Sequence, residues 1–180
     1  MAITAQHIRK TLTLYLDQHP EEKPKLEPVV ALLDQDVDLT SRKEYRGHVT
    51  AGAVLTSPAG KVLFIEHLAL SRWLLPGGHL EAQDTTLLGA ALRELAEETG
   101  IRPELVVPLG DDPIHIDVHP IPANPAKGES AHQHVDFRFL FGTTADITEL
   151  QAEEVSDAAW CHVDTLADEE LRERVATALR

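Results

Sequence analysis

The sequence predicts an α/β protein, a mixed β-sheet layered against helices. Three observations carry this. The hydrophobic pattern has a helical period over the first third of residues 1–100 and an alternating one from Val49 onwards. Apolar segments bounded by Gly and Pro turns recur at 49–57, 61–67, 105–110, 114–121 and 134–143. One helical stretch, 85–99, interrupts them and another, 168–180, closes the chain. Strands, helix, strands, helix is the order of a layered domain.

Each element has a local reason. Thr4 is placed to cap a helix to residue 18, with Ile8, Leu12, Tyr15 and Leu16 as its apolar stripe. "HPEEKP" breaks it, and "KLEPVVALLDQ" supplies a second short helix. These form a helical appendage, residues 1–45, ahead of a main domain, residues 46–180. "VTAGAVLTS" and "KVLFIEH" are strands joined by a hairpin turn at "PAG". "RWLLPGGHLE" is a short strand entering a double-glycine turn, and Trp73 could stack on a base, but beside "LLP" it is expected in the core. In the 85–99 helix, Leu88, Leu92 and Leu95 are the expected buried stripe, and Gly100 ends it. "PANPAKGES" is a Pro/Gly/polar loop, and "AAWCHV" a late strand.

Composition narrows the function. The 180 residues are 43% hydrophobic, enough for one well-buried domain with a small addition. No apolar run approaches a membrane span, and the N-terminus lacks a signal-peptide pattern. Cys161 is the single cysteine, so no internal disulfide forms and a cytoplasmic location is expected. A net charge of −14 argues against nucleic-acid polymers and anionic membranes as partners. It permits a small anionic substrate screened by a divalent cation. The ten histidines are scattered, and most are expected at the surface or in turns.

"RELAEETGI", residues 93–101, breaks local rules. Glu94 and Glu98 repel at four-residue spacing, and acids near a helix C-terminus oppose its dipole. At 100° per residue Glu94, Glu97 and Glu98 share one arc, which predicts an exposed acidic patch opposite the leucines. Clustered carboxylates on a rigid helix suit a hard cation such as Mg²⁺, and a preceding glycine turn lets a backbone carbonyl approach the same ion. The plainer alternative for an isolated "EExG" is a solvated helix face.

The stretch from Gly78 to Ile101 resembles the signature of the Nudix hydrolases, G-x5-E-x7-R-E-U-x-E-E-x-G-U, with U a bulky aliphatic residue. Arg93, Glu94, Leu95, Glu97, Glu98, Gly100 and Ile101 match its second half without a gap. The first half holds one residue more, so the expected first Glu is Asp84 or Thr85. Asp84, six after Gly78, is the preferred equivalent, with the insertion at the helix start. The resemblance implies a Nudix-type mixed sheet sandwiched by helices and a hydrolase using Mg²⁺ or Mn²⁺. Such enzymes cleave a diphosphate bond in a nucleoside diphosphate linked to another group, by water attack at phosphorus. It further implies Glu94 and Glu98 as first metal ligands, then Glu97, with the Gly78 carbonyl contributing. Arg93 would orient the glutamates. The general base is a box glutamate, Glu97 or Glu98, or an acid in a loop outside the box.

Further candidates lie beyond the box. Glu153 and Glu154 precede a strand, and ordinary surface acids are the competing explanation. His132, His134 and Asp136 alternate along a strand and share a face, with Val135, Phe137 and Phe139 on the other. That polar face lines the cleft, contacting phosphate or metal, or it is merely solvated. Glu66, His67 and Arg72 flank the strand leading into the box as substrate contacts. The expected partner is a small nucleotide-type molecule, with a homodimer left open. The alternative function is a catalytically silent Nudix module that binds a nucleotide-like effector. The intact acids argue against it.

Overall fold

A computed structural model describes residues 2–68, 72–125, 128–144 and 155–180. Two helices come first, α1 (Ala5–Gln18) and α2 (Lys23–Asp34), separated by a 3-10 turn at Pro20–Glu22. Thr4 caps α1 by accepting the His7 N–H, and Ile8, Leu12, Tyr15 and Leu16 are buried, as the pattern predicts.

The strands are β1 (His48–Thr56), β2 (Lys61–His67), β3 (Arg72–Leu74), β4 (Gly77–His79), β5 (Val106–Pro108), β6 (His115–Ile121), β7 (His132–Thr143) and β8 (Val155–His162). They form one sheet along the path β3-β2-β1-β7-β5, with β4 on β1, β6 on β7 and β8 on β2. The β1–β7 pair is parallel and runs from His48↔His134 to Thr56↔Gly142. The other pairs are antiparallel. The sheet is therefore mixed, as expected.

Alternation along β1 and β7 creates two unlike faces. Val49, Ala51, Ala53 and Leu55 join Val135, Phe137, Phe139 and Phe141 in the main core, together with Leu87, Ala90, Ala91 and Leu95 of helix α3 (Leu87–Thr99). Val54 and Leu140 point the other way, into a second cluster with Leu171 and Val175 of α4 (Glu169–Ala178). Helices thus cover both faces of the sheet.

The N-terminal helices share the main core through Ile8, Leu12, Tyr15, Leu26, Val29 and Leu33. A polar tie adds to this. The Tyr15 hydroxyl donates to buried Glu22 at 2.5 Å and accepts the Ile116 N–H at 3.3 Å, while Arg174 of α4 bonds both Tyr15 and Glu22. Buried charge is tolerated where it is paired in this way.

Three expectations need correcting. Trp73 is 44% exposed, because β3 is a short strand at the sheet edge. In α3 the fully buried apolar residues are Leu87, Ala90, Ala91 and Leu95, whereas Leu88 and Leu92 are partly buried at the margin of the core. The helix starts at Leu87, capped by Thr86, two residues later than the pattern suggested.

Candidate active site

Helix α3 and strand β4 are locked together. Thr86 accepts the Gly89 N–H at the N-terminus, and Gly100 closes the C-terminus in the left-handed region at φ 68°. Strand β4 pairs with β1 through Thr50↔His79, Ala51↔Gly78 and Gly52↔Gly77. The glycines serve different neighbours. A Cβ on Gly77 would lie 2.8 Å from Gly52 Cα and 2.9 Å from the Ala51 carbonyl oxygen. A Cβ on Gly78 would lie 2.6 Å from the Glu94 carboxyl carbon. The second glycine thus makes room for the first box glutamate.

The acids are held in this setting and do not form a uniformly exposed patch. Glu97 is exposed, but Glu94 and Glu98 are half-buried because the β4 turn comes down on them. Glu98 accepts the Gly77 N–H at 2.8 Å. Burial raises the Glu94 carboxyl above its ordinary pKa, with help from the charges of Glu97 and Glu81, against the opposing pull of Arg93.

Arg93 is the hub. Its Nε and Nη2 donate to the two oxygens of Asp84 at 3.0 and 2.9 Å, a bidentate pair. Nη2 also donates to the His79 carbonyl at 2.9 Å, and Nη1 to Glu94 at 3.0 Å and Glu97 at 2.8 Å. Asp84 is buried and also accepts the Glu81 N–H at 2.7 Å. Burial works to raise its pKa, but Arg93 and the Glu81 amide outweigh this and hold it below the usual carboxylate range. The bond to Asp84 is also the largest cause raising the Arg93 pKa. Asp84 is thus the acid that meets Arg93, while Thr85 is exposed. Arg93→Lys is expected to destabilise the protein by about 3 kcal/mol, because a lysine cannot replace the fork and leaves buried Asp84 underpaired. Urea unfolding of both proteins checks this.

The donor chemistry fits a hard divalent cation. Glu94, Glu97 and Glu98 offer only carboxylate oxygens, and the turn at Gly78 excludes any Cβ that would block Glu94. In this arrangement the single Arg93 charge is shared among Asp84, Glu94 and Glu97, so the acids keep net negative charge for a cation.

The polar face of β1, β6 and β7 lies in register. His48, His134 and His119 are cross-strand neighbours, as are Thr50, Asp136 and Asp117. Most of these histidines are not at the surface. His48 is 1% exposed, His115 and His132 are buried, and His79 and His134 are half-buried. The expectation of surface or turn positions fails here because strand pairing gathers them. Asp136 accepts from Thr50 Oγ1 at 3.1 Å and Arg138 Nε at 2.9 Å. His132 Nδ1 faces the Ser130 carbonyl at 2.8 Å, and its Nε2 lies 3.2 Å from His134 Nε2.

Burial, reinforced by His79, His48, His119 and His132, lowers the His134 pKa from 6.5 to about 3. The folded value lies below the unfolded one. Between these values the unfolded chain binds the extra proton, so stability is complete above about pH 6.5 and falls as pH drops. The melting temperature of metal-free protein is expected to fall between about pH 7 and 5. Replacing His134 by Gln is expected to flatten that slope in a pH series of thermal melts.

The other candidates are placed differently. Arg72 is exposed on β3, opposite His67, and that strand joins the sheet through β2 rather than β4. Glu66 accepts from Ser156 Oγ on β8 at 2.8 Å. Glu153 and Glu154 lie outside the described residues. Two residues of the histidine cluster were missed by sequence reasoning, His48 and His79. Their signal was a histidine opening an otherwise apolar strand and another directly after the double glycine.

The NUDIX domain profile matches residues 46–180. The chain belongs to the NUDIX family. A probable DHNTP pyrophosphohydrolase of Lactococcus lactis is 35% identical over 125 residues, covering 67% of this chain and 69% of that protein. Phosphatase NudJ of Escherichia coli K12 is 48% identical over 59 residues, 32% of this chain and 37% of that protein. Among solved structures, a C. elegans Ap4A hydrolase complex superposes with a TM-score of 0.54 at 22% identity, covering 73% of this chain and 96% of that one. The E. coli dihydroneopterin triphosphate pyrophosphohydrolase gives 0.54 at 16% identity, covering 72% and 92%. These superpositions show that the NUDIX fold is shared. No helix among the described residues of this NUDIX protein is long and apolar enough to cross a membrane.

Proposed function

We propose that this NUDIX protein hydrolyses a diphosphate bond in a nucleoside diphosphate linked to another group, with Mg²⁺ or Mn²⁺ held by Glu94, Glu97, Glu98 and the Gly78 carbonyl. The observation that supports this best is the seat of Glu94 against Gly78, where a single Cβ would collide with the carboxylate. A solvated helix face has no need of such a fit.

The chain's own residues divide the work. A divalent cation, when bound, supplies Lewis-acid stabilisation of charge on the phosphoryl oxygens. Glu94 is fixed by Arg93 and Gly78, and Glu98 by the Gly77 N–H. Glu97, the exposed acid, accepts from Arg93 Nη1 through Oε2 and is the box candidate for general base, beside Glu98. Arg93 is a positioning residue, since its donors are directed at Asp84, Glu94, Glu97 and the His79 carbonyl. His134 stays neutral at physiological pH, so it offers a substrate a hydrogen bond or a lone pair rather than a charge for phosphate. Exposed Trp73 offers a face for stacking on a base.

The test is a panel of diphosphate compounds with Mg²⁺ and with Mn²⁺, reading phosphate, pyrophosphate and nucleotide release. Dihydroneopterin triphosphate comes first, because the Lactococcus relative is named for a DHNTP activity. Ap4A and ADP-ribose follow, from the names of proteins sharing the fold. Metal-dependent release of a phosphorus product supports the proposal. Binding of panel members without turnover would instead favour an effector-binding module.

A further inference from the structure

We infer that His48, His79 and His134 form a binding site for a borderline divalent transition-metal ion, zinc first, separate from the oxygen-donor site of the box. The inference does not depend on the proposed reaction.

Strand register brings the ligands together. His48 and His134 are partners across the parallel β1–β7 pair, and His79 is held opposite Thr50, two residues along β1. One ligand atom from each ring lies within 4.8 Å of the other two. The ring centroids are 5.2 Å apart for His48–His79, 4.8 Å for His48–His134 and 5.1 Å for His79–His134. A tetrahedral ion with Zn–N bonds of about 2.0–2.1 Å holds its imidazole centres roughly 5 Å apart. Interplanar angles of 34°, 58° and 89° rule out a parallel stack as the reason for the cluster.

The proton inventory identifies a waiting lone pair. His48 Nδ1 lies 3.2 Å from the Glu44 carbonyl oxygen, which only accepts, so Nδ1 carries the proton. Nε2 is then a lone pair, and it is buried with no hydrogen-bond partner among the described residues, in a residue that is 1% exposed. A buried acceptor left in this state costs about 1–3 kcal/mol. A metal ion would satisfy it. A carbonyl behind Nδ1 is also what orients a metal-ligating imidazole.

The donor set decides the class of metal. All three ligands are nitrogens. Asp136, on the same face, is engaged by Arg138 and Thr50. Imidazole nitrogen suits zinc and its neighbours, whereas Mg²⁺ demands oxygen. Three protein ligands leave a fourth position for water or for His132, whose Nε2 lies 3.2 Å from His134 Nε2.

The test reads metal binding without substrate. Chelator-stripped protein is titrated with Zn²⁺ by calorimetry and with Co²⁺ by visible absorption. The unmutated protein and Glu98→Gln should each take up zinc at this site and show the bands of four-coordinate cobalt. His134→Ala and His79→Ala should weaken zinc binding at least about 100-fold and lose those bands. His48→Ala should do the same, and because His48 is buried its circular dichroism is recorded alongside. If it fails to fold, His79→Ala, at a half-buried ring, decides. Absence of zinc binding in the unmutated protein would overturn the site. So would binding that survives both His79→Ala and His134→Ala, or that disappears in Glu98→Gln.

Discussion

Glu98→Gln is expected to lower kcat by on the order of 10²–10³-fold while leaving the melting temperature unchanged or slightly higher. The substitution removes a charge from the cation site but keeps an oxygen that accepts the Gly77 N–H, the 2.8 Å bond that seats this side chain on β4. It also relieves repulsion between Glu94 and Glu98, worth a few tenths of a kcal/mol, roughly 0.2–0.5, at four-residue spacing. The two readouts therefore separate. Steady-state turnover on whichever diphosphate compound the panel identifies, with parallel thermal melts, checks both. Undiminished turnover would remove these acids from catalysis.

The adjacent glycines should fail in opposite ways. Gly78→Ala places a Cβ 2.6 Å from the Glu94 carboxyl carbon, at the far end of a flexible side chain. The carboxylate swings away at little cost to stability, but a ligand misplaced by about 1 Å costs on the order of 10²-fold in rate. Gly77→Ala meets backbone instead, 2.8 Å from Gly52 Cα and 2.9 Å from the Ala51 carbonyl. No side chain can yield there, so the β1–β4 pairing must part, at about 1–3 kcal/mol and roughly 5 °C in melting temperature. Kinetics and melting curves on the two variants distinguish a catalytic glycine from a structural one. Equal losses of stability in both would contradict the assignment.

Local chemistry made the helices legible. Thr4 and the stripe Ile8, Leu12, Tyr15 and Leu16 define α1 through nearest-turn interactions, and Gly100 ends α3 because the left-handed position suits glycine. The arc of Glu94, Glu97 and Glu98 follows from helical geometry alone. Their unequal exposure does not, because it depends on where β4 lands. The histidine cluster was hidden for the same reason. Alternation places His132 and His134 on one face, but His48 joins them only through the parallel β1–β7 register across 85 residues of intervening chain, and His79 only through β4. Single-strand patterning carries no information on strand order. Trp73 misleads for a related reason, since its apolar neighbours do not reveal that β3 is an edge strand.

Hydrolysis in ¹⁸O-labelled water with Mg²⁺ or Mn²⁺ tests the central claim most directly, with the products followed by phosphorus NMR or mass spectrometry. The expected result is scission of the diphosphate bond, one ¹⁸O atom on a phosphorus of a single product, and loss of the reaction on adding a chelator. Label on a carbon atom, or no turnover of any diphosphate compound with either metal, would contradict it.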